Sequence, residues 1–165
     1  LKSDLFKIFD HSCPKIVYTH NPADKHVTHI AVLSAAIQVM QELPEEKKPK
    51  QVLGCEVWRD LDWMPDEDKV LLDVSYRENL ANALVSIFDS QITGDKRYDR
   101  AAVGRRYANA TFFHAEGRDK AEQLTFAMDL TPVIYDDSIK FCDYVMEYLD
   151  KFKSEVKTNI EHFFK

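Results

Sequence analysis

The sequence predicts an α/β fold in which a mostly parallel sheet carries helices on both faces. Short apolar runs alternate along the chain with longer segments whose apolar residues recur at helical spacing. The run at residues 16–18 leads into a polar loop and then a helical pattern, the order in which an open α/β sheet presents functional groups at the carboxyl ends of its strands. With 165 residues and 45% hydrophobic content, the chain can bury the core of one domain.

Local patterns place the elements in order. The predicted strands cover residues 16–18, 51–57, 70–74 and 123–130. The predicted helices cover residues 1–9, 25–43 and 79–92, and one long helix runs from residue 136 onward. Gly94 is expected to stop the third helix, and Pro132 to end the last strand. No internal repeat or linker divides the chain, so residues 1–165 are expected to form a single domain.

Composition narrows the classes of function. A net charge of −6 argues against a general nucleic-acid binder, and no apolar stretch reaches the roughly 20 residues of a membrane span. The dinucleotide signature G-x-G-x-x-G is absent, so no nucleotide cofactor is expected. Three cysteines lie far apart and form no C-x-x-C pair, which favours a reducing compartment and predicts a cytoplasmic protein.

A histidine cluster follows the first predicted strand. His20, His26 and His29 are half of the six histidines of the chain, and Asp24 lies among them. A helix starting near Asp24 places His26 and His29 on one face of its first turn, with Asp24 as a candidate cap. A helix amino terminus disfavours imidazolium, so both rings are biased toward the neutral form that binds metals. The same spacing also arises by chance on surface helices, and it supplies fewer ligands than a zinc site needs.

The pattern Asp24-x-His26-x-x-His29-x-Ala31-Val32 resembles the second signature, D-x-H-x-D-H-x-A-V, of the PIG-L/LmbE family of zinc-dependent N-deacetylases. Residues 51–62 and 73–97 resemble the segments that follow this signature in the family. The resemblance implies a Rossmann-like, LmbE-like fold that removes acetyl groups from N-acetylglucosamine-type compounds with Zn²⁺ as cofactor. It also implies that His29 is a zinc ligand. Asp24 and His26 would then be catalytic, with His26 stabilising the oxyanion.

Two departures from the family pattern bear on this expectation. Thr28 stands where the family has the Asp that orients the first histidine. The first family signature, A-H-P-D-D-E, supplies the other ligands and the general base, and the sequence does not contain it. Metal-activated attack by water needs a base to take the proton. We therefore expect residues 1–165 to be the carboxyl-terminal part of an LmbE-like deacetylase domain, active in the complete domain.

Candidate substrate residues follow the second predicted strand. Trp58, Arg59 and Asp60 combine an aromatic ring with opposite charges, as sugar-binding sites do when a ring stacks on the sugar and charged groups bond its hydroxyls. Alternatively, Trp58 and Trp63 belong to a core or a subunit interface. A further alternative is that Glu56, Arg59 and Asp60 pair with one another.

A second set of candidates lies in the most basic part of the chain. Arg105 belongs to a segment that could bind an anionic part of a substrate, contact a partner subunit or pair with nearby acids. His114 follows it, in the region that lines the pocket mouth in the resemblance. Both residues are candidates for substrate binding.

Two functions of different classes remain open. The first is a zinc-dependent amide hydrolase that removes acetyl from an N-acetylated amino sugar or glycoside. The second is a catalytically inactive sugar-binding or assembly module. The resemblance also allows such a module to be fused behind a sugar-phosphate deaminase-like domain. The long last helix carries an apolar stripe ending in Phe163 and Phe164, which predicts contact with another subunit of a homo-oligomer or with a further part of the protein.

Overall fold

The computed structural model describes residues 1–114 and 117–164 of the chain. Its sheet has four strands in the order β1-β2-β4-β3. The strands are β1 (Ile16–His20), β2 (Gln51–Cys55), β3 (Val70–Asp73) and β4 (Leu124–Asp129). Strands β1 and β2 are parallel, with His20 opposite Cys55, whereas β2 and β4 are antiparallel. The predicted α/β class is confirmed with a mixed sheet, and the Rossmann-like, LmbE-like arrangement stays a prediction.

Six α-helices accompany the strands in the described part of the chain. They are α1 (Lys2–Ser12), α2 (Val27–Glu42), α3 (Glu78–Ser86), α4 (Tyr98–Phe112), α5 (Thr131–Tyr135) and α6 (Phe141–Phe163). Single 3₁₀ turns lie at Glu45–Lys47, Asp66–Asp68 and Asp89–Gln91. None of the helices in the described ranges combines the length and the apolarity that crossing a membrane requires.

Contacts divide the chain into two compact units. The first comprises Leu1–Val70 with Ala127–Lys165, and the second comprises Leu71–Phe126. The prediction of a single domain stays a prediction.

The core of the first unit lies around α2, β2 and α5. Its largest fully buried apolar side chains include Leu33, Met40, Leu53, Met128 and Ile134. Strand β2 is buried along its three central residues, whereas β1 is half exposed, as its position at the end of the strand order explains. Helix α2 packs on β1, α1 and α5. This packing fixes the two ends, at His20 and Val27, of the loop that follows β1.

In the second unit, polar contacts join α4 to the start of β4 and to the start of α3. The Asn109 side chain donates to the Leu124 carbonyl over 3.1 Å in a buried bond. The Tyr107 hydroxyl donates to Glu78 at the start of α3 over 2.9 Å. The Ser75 hydroxyl accepts from the backbone N–H groups of Glu122 and Gln123.

Several helix boundaries differ from the sequence prediction. Helix α1 extends to Ser12, and α3 ends at Ser86, well before the expected stop at Gly94. Helix α2 begins at Val27 rather than at residue 25, and no side chain caps it. The predicted cap, Asp24, instead accepts hydrogen bonds from His26 and His29. The segment after β4 forms the short helix α5, and α6 begins only at Phe141. Proline is tolerated in the first turn of a helix, so Pro132 ends the strand and also starts α5.

Candidate metal centre

The candidate metal centre lies at the carboxyl ends of the parallel strands β1 and β2. Strand β1 ends at His20. The backbone N–H of Asn21 extends the pairing with β2 by donating to the Cys55 carbonyl over 3.1 Å. The loop of residues 21–26 then turns back into α2, which carries His29 in its first turn. His20 and the loop that follows it thus lie at the carboxyl ends of two parallel strands, which is where the sequence predicts functional groups.

Buried polar contacts hold this loop. The Asn21 side chain is fully buried and donates to Glu56 Oε2 over 2.6 Å. The other oxygen of Glu56 accepts from the Lys25 backbone N–H over 3.2 Å. The Asn21 side-chain oxygen accepts from the Ala23 N–H over 2.8 Å. Because these groups are shielded from water, losing a partner would leave a polar atom buried and unsatisfied. Glu56 therefore fixes the position of the loop.

Asp24 is the buried acceptor at the middle of the site. Its Oδ1 accepts from the His26 backbone N–H over 2.8 Å, and its Oδ2 lies 2.7 Å from His29 Nδ1. The same oxygen is 3.8 Å from His20 Nδ1. Burial acts to raise the pKa of Asp24, but the hydrogen bonds from His26 and His29 outweigh it and hold the pKa below its usual value. Asp24 is therefore ionised at neutral pH, so His29 Nδ1–H donates to it.

The rings of His20 and His29 stack on each other. Their centroids are 4.0 Å apart and their planes differ by 7°. Burial, followed by the proximity of His29, lowers the pKa of His20, and this outweighs the opposing effects of Asp24 and Glu56. His20 therefore favours the neutral form, which is the form that can bind a metal ion.

The donor set of His20, Asp24 and His29 fits a transition-metal ion. Each residue offers one ligand atom, and these atoms lie within 4.8 Å of one another. Zinc accepts imidazole nitrogen and carboxylate oxygen at about 2.0–2.2 Å, so two ligands of a tetrahedral site are roughly 3.3 Å apart. The distances from Asp24 Oδ2 to the two Nδ1 atoms, 2.7 Å and 3.8 Å, bracket that separation. A metal ion bound at His29 Nδ1 would replace the proton that this nitrogen donates to Asp24. The group could hold a metal ion after small side-chain adjustments.

His26 lies beside this group at the amino cap of α2. Its side chain is exposed, and its ring centroid is 5.0 Å from that of His29 and 4.9 Å from that of Trp58. His26 is thus close to the three possible ligands without belonging to their group. Thr28, which stands in the family's Asp position, is exposed.

The predicted substrate residues after β2 lie close to the same loop. Trp58 contacts His26, and its ring lies under the Lys25 ammonium at 5.3 Å. The Arg59 guanidinium donates to the Ala23 carbonyl over 3.0 Å. Asp60 is buried and has a left-handed backbone with φ of 51°. The structure thus brings Trp58 and Arg59 to the loop that carries Asp24.

The remaining candidates belong to the second unit. Arg105 lies within α4, and His114 follows it with its ring 4.8 Å from that of Phe113. Their roles in substrate binding stay predictions.

The sequence assigns no individual role in the site to three of its residues. His20 belongs to the histidine cluster, and no pattern marks Asn21 or Glu56 as part of a site. The position of His20 just after a predicted strand is the one signal that points to it. The bond between Asn21 and Glu56 joins residues 35 positions apart, and no local pattern predicts it.

Comparison of the chain with protein-family models, with curated proteins and with solved structures gave no match.

Proposed function

We propose that the protein is a zinc-dependent amide hydrolase that removes the acetyl group from an N-acetylglucosamine-type compound. The observation that carries this proposal is the group of His20, Asp24 and His29, whose ligand atoms lie within 4.8 Å of one another. Catalytic zinc sites commonly have three protein ligands, drawn from histidines and a carboxylate, and an open position for water. The resemblance of residues 24–32 to the deacetylase signature supports zinc and the amide substrate.

The roles of the chain's own residues follow from their positions. His20 and His29 would hold the ion as neutral imidazoles, and Asp24 would add a negative charge that is already ionised at neutral pH. The ion, when bound, would polarise the acetyl carbonyl and lower the pKa of a bound water. His26 has an exposed ring beside His29, where it could donate a hydrogen bond to the carbonyl oxygen.

The general base is expected from a segment that carries the A-H-P-D-D-E signature. The carboxylates of Asp24 and Glu56 are both buried and both accept hydrogen bonds, so they are poorly placed to take a proton from water. Acetyl release is therefore proposed for the complete domain. The separated cysteines, all of them free thiols, favour a cytoplasmic setting.

Zinc content tests the proposal most directly. We expect about one zinc per chain by elemental analysis of the 165-residue protein, and acetyl release from N-acetylglucosamine compounds by the full product of its gene. His29→Ala should remove both the zinc and the activity, whereas His26→Ala should lower turnover and leave the zinc in place. A His29→Ala protein with full zinc content and activity would overturn the proposal.

Helix α6 favours a second candidate, an inactive sugar-binding or assembly module. Its residues 151–164 are all exposed, and they include Phe152, Val156, Ile160 and Phe163. An apolar stripe exposed on a helix commonly marks an interaction surface. Absence of zinc from both the 165-residue chain and the full gene product, after growth with added metal, would favour this candidate.

A further inference from the structure

Two positively charged side chains lie at the loop that carries Asp24. Lys25 directly follows the buried Asp24, and Arg59 reaches the loop from the end of β2. Both side chains are exposed. We call Lys25 and Arg59 the cationic pair.

A defined contact holds each member of the pair. The Lys25 ammonium lies 5.3 Å from the centroid of the Trp58 ring, within the range of a cation–π interaction. One N–H of Arg59 donates to the Ala23 carbonyl over 3.0 Å. A guanidinium has further N–H groups in the same plane, and these can bind an anion. Both charges are thus positioned beside the metal centre before any ligand arrives.

The cationic pair has no carboxylate partner in the described ranges. Neither Lys25 nor Arg59 lies within ion-pair distance of an acid among residues 1–114 and 117–164, although acidic residues outnumber basic ones by 28 to 22. The two acids of the loop network already have hydrogen-bond partners. Asp24 accepts from His26 and His29, and Glu56 accepts from Asn21 and from the Lys25 backbone.

Other basic side chains in the described part of the chain do have an acid partner. Several pair with acids at 2.5 to 2.8 Å, as in the pairs Lys47–Asp10, Lys69–Asp66 and Lys151–Asp68. In an acidic chain, two positioned cations without an acid partner, next to a possible metal centre, form a site for a negative group.

We propose that the cationic pair binds an anionic substituent of the substrate, so that the substrate is an N-acetylated amino sugar carrying a phosphate or a carboxylate. The inference rests on the proposed function, because it takes the metal centre as the place where the acetyl group lies. Phosphate and carboxylate oxygens both accept from ammonium and guanidinium groups, so they share the chemistry of this site.

Calorimetric titration of the zinc-loaded protein with three sugars tests the proposal. The probes are N-acetylglucosamine 6-phosphate, N-acetylmuramic acid and uncharged N-acetylglucosamine. We expect at least one anionic sugar to bind roughly tenfold or more tightly than the neutral sugar. Lys25→Gln should weaken binding of the anionic sugar about 5- to 20-fold and leave the neutral sugar within about twofold. Arg59→Gln should weaken binding of the anionic sugar by a similar factor, and by more than it weakens binding of the neutral sugar. Which anionic sugar binds tighter separates phosphate from carboxylate.

Matched controls distinguish binding by the cationic pair from an effect of net charge and from direct binding of the anion to the metal ion. Lys153→Gln and Lys157→Gln remove one charge each from the exposed part of α6 and should change no affinity. Inorganic phosphate serves as a further probe of the metal. The proposal is overturned if the anionic sugars bind no tighter than the neutral one, or if the Lys25→Gln/Arg59→Gln double variant keeps the full preference, as it would when phosphate binds through zinc alone.

The same experiment distinguishes this proposal from the proposed function. Zinc uptake is measured first on each protein. Full zinc uptake with equal binding of charged and neutral sugars would overturn the proposal that the cationic pair binds an anionic substituent. The hydrolase proposal would still stand. Binding of an anionic sugar that depends on Lys25 and Arg59 without any zinc uptake would support the cationic pair and overturn the metal-dependent function.

Discussion

At the residue scale, Glu56 determines how the loop before α2 is held. Each of its carboxylate oxygens accepts a hydrogen bond, one from Asn21 and one from the Lys25 N–H. Only 6% of Glu56 is exposed, so water cannot replace a lost partner. The loop in turn carries Asp24, which joins His20 and His29. Glu56 is therefore a positioning residue for a group that it does not itself belong to.

Glu56→Gln tests this role. The amide retains one acceptor but turns an NH₂ group toward a donor, so we expect the unfolding free energy to fall by about 1–3 kcal/mol. Zinc affinity should fall by about 10- to 100-fold, as is typical when a group that orients metal ligands is changed. Denaturant unfolding and zinc titration measure the two effects. Glu45→Gln is the control, because the Glu45 side chain is 74% exposed and should affect neither quantity. Unchanged zinc affinity in Glu56→Gln would refute the positioning role.

Asp24 links stability to pH. The pKa of Asp24 is depressed in the folded protein, so its carboxylate adds to the free energy of unfolding. This contribution is present above the unfolded-state pKa of 3.8 and is lost as the pH falls through the lower folded-state pKa. In metal-free protein, the unfolding free energy measured from pH 7 to pH 3 should decline less steeply at the acid end in Asp24→Asn than in the parent. Parallel curves for the two proteins would show that Asp24 titrates alike in the folded and unfolded states.

Cys55 is more buried than the other two cysteines, and we expect it to react more slowly. Burial, with a contribution from Asp60, raises the pKa of the Cys55 thiol from 9.0 to about 11. Because the thiolate is the reactive form, two pKa units predict alkylation about a hundredfold slower at pH 8. Cys13 and Cys142 are exposed and serve as internal references. Iodoacetamide labelling followed by peptide mass spectrometry measures all three, and labelling of Cys55 at the rate of Cys13 would contradict the prediction.

At the scale of elements, Gly54 allows β1, β2 and the chain after β4 to approach closely. A Cβ at this position would lie 2.9 Å from Leu130 Cδ1 and 3.2 Å from both the Asn21 Cα and the His20 carbonyl oxygen. The Leu130 side chain can move, but the backbone of residues 20 and 21 cannot yield without displacing the loop of the metal centre. Gly54 therefore helps to determine the position of His20.

Gly54→Ala should therefore be destabilising, by about 1–3 kcal/mol, and should weaken zinc binding. Gly104→Ala is a matched control, because nothing lies within 4 Å of an added Cβ there. Gly104 lies within α4, where alanine is the better helix former, so that variant should gain about 0.5–1 kcal/mol. Thermal unfolding compares the two variants. A Gly54→Ala protein as stable as the parent would contradict the close packing at this position.

Local periodicity explains why most elements could be predicted. The four strands and the helices α1 to α3 lie where apolar spacing placed them, because the alternation or the helical stripe is contained in each segment. Helix α4 was not predicted, since its segment was identified only as the most basic part of the chain. The break between α5 and α6 was not predicted, since Pro132 was interpreted only as a stop for the strand. Proximity across the chain has no local signature. The parallel pairing of His20 with Cys55, and the bonds from Glu56 back to the loop, depend on contacts more than 30 positions apart.

At the scale of the whole molecule, the metal-binding hypothesis has a consequence for stability. A ligand that binds only the folded state stabilises it, by about 2.7 kcal/mol when its concentration is a hundredfold above the dissociation constant. The unfolded chain also offers histidines, but it does not hold His20, Asp24 and His29 within 4.8 Å of one another as the folded chain does. Zinc should therefore shift the folding equilibrium through these three residues.

For a chain of this size, each kcal/mol raises the melting temperature by about 2–4 °C, so saturating zinc should raise it by roughly 5–10 °C. Scanning calorimetry with and without zinc measures the shift, and a chelator should reverse it. His20→Ala and His29→Ala should each abolish most of the shift, whereas His162→Ala, at the far end of α6, is the control that should keep it. If His20→Ala kept the full shift while His29→Ala lost it, zinc would be held without His20, and the three-residue centre would be wrong even though the family-like role of His29 survived.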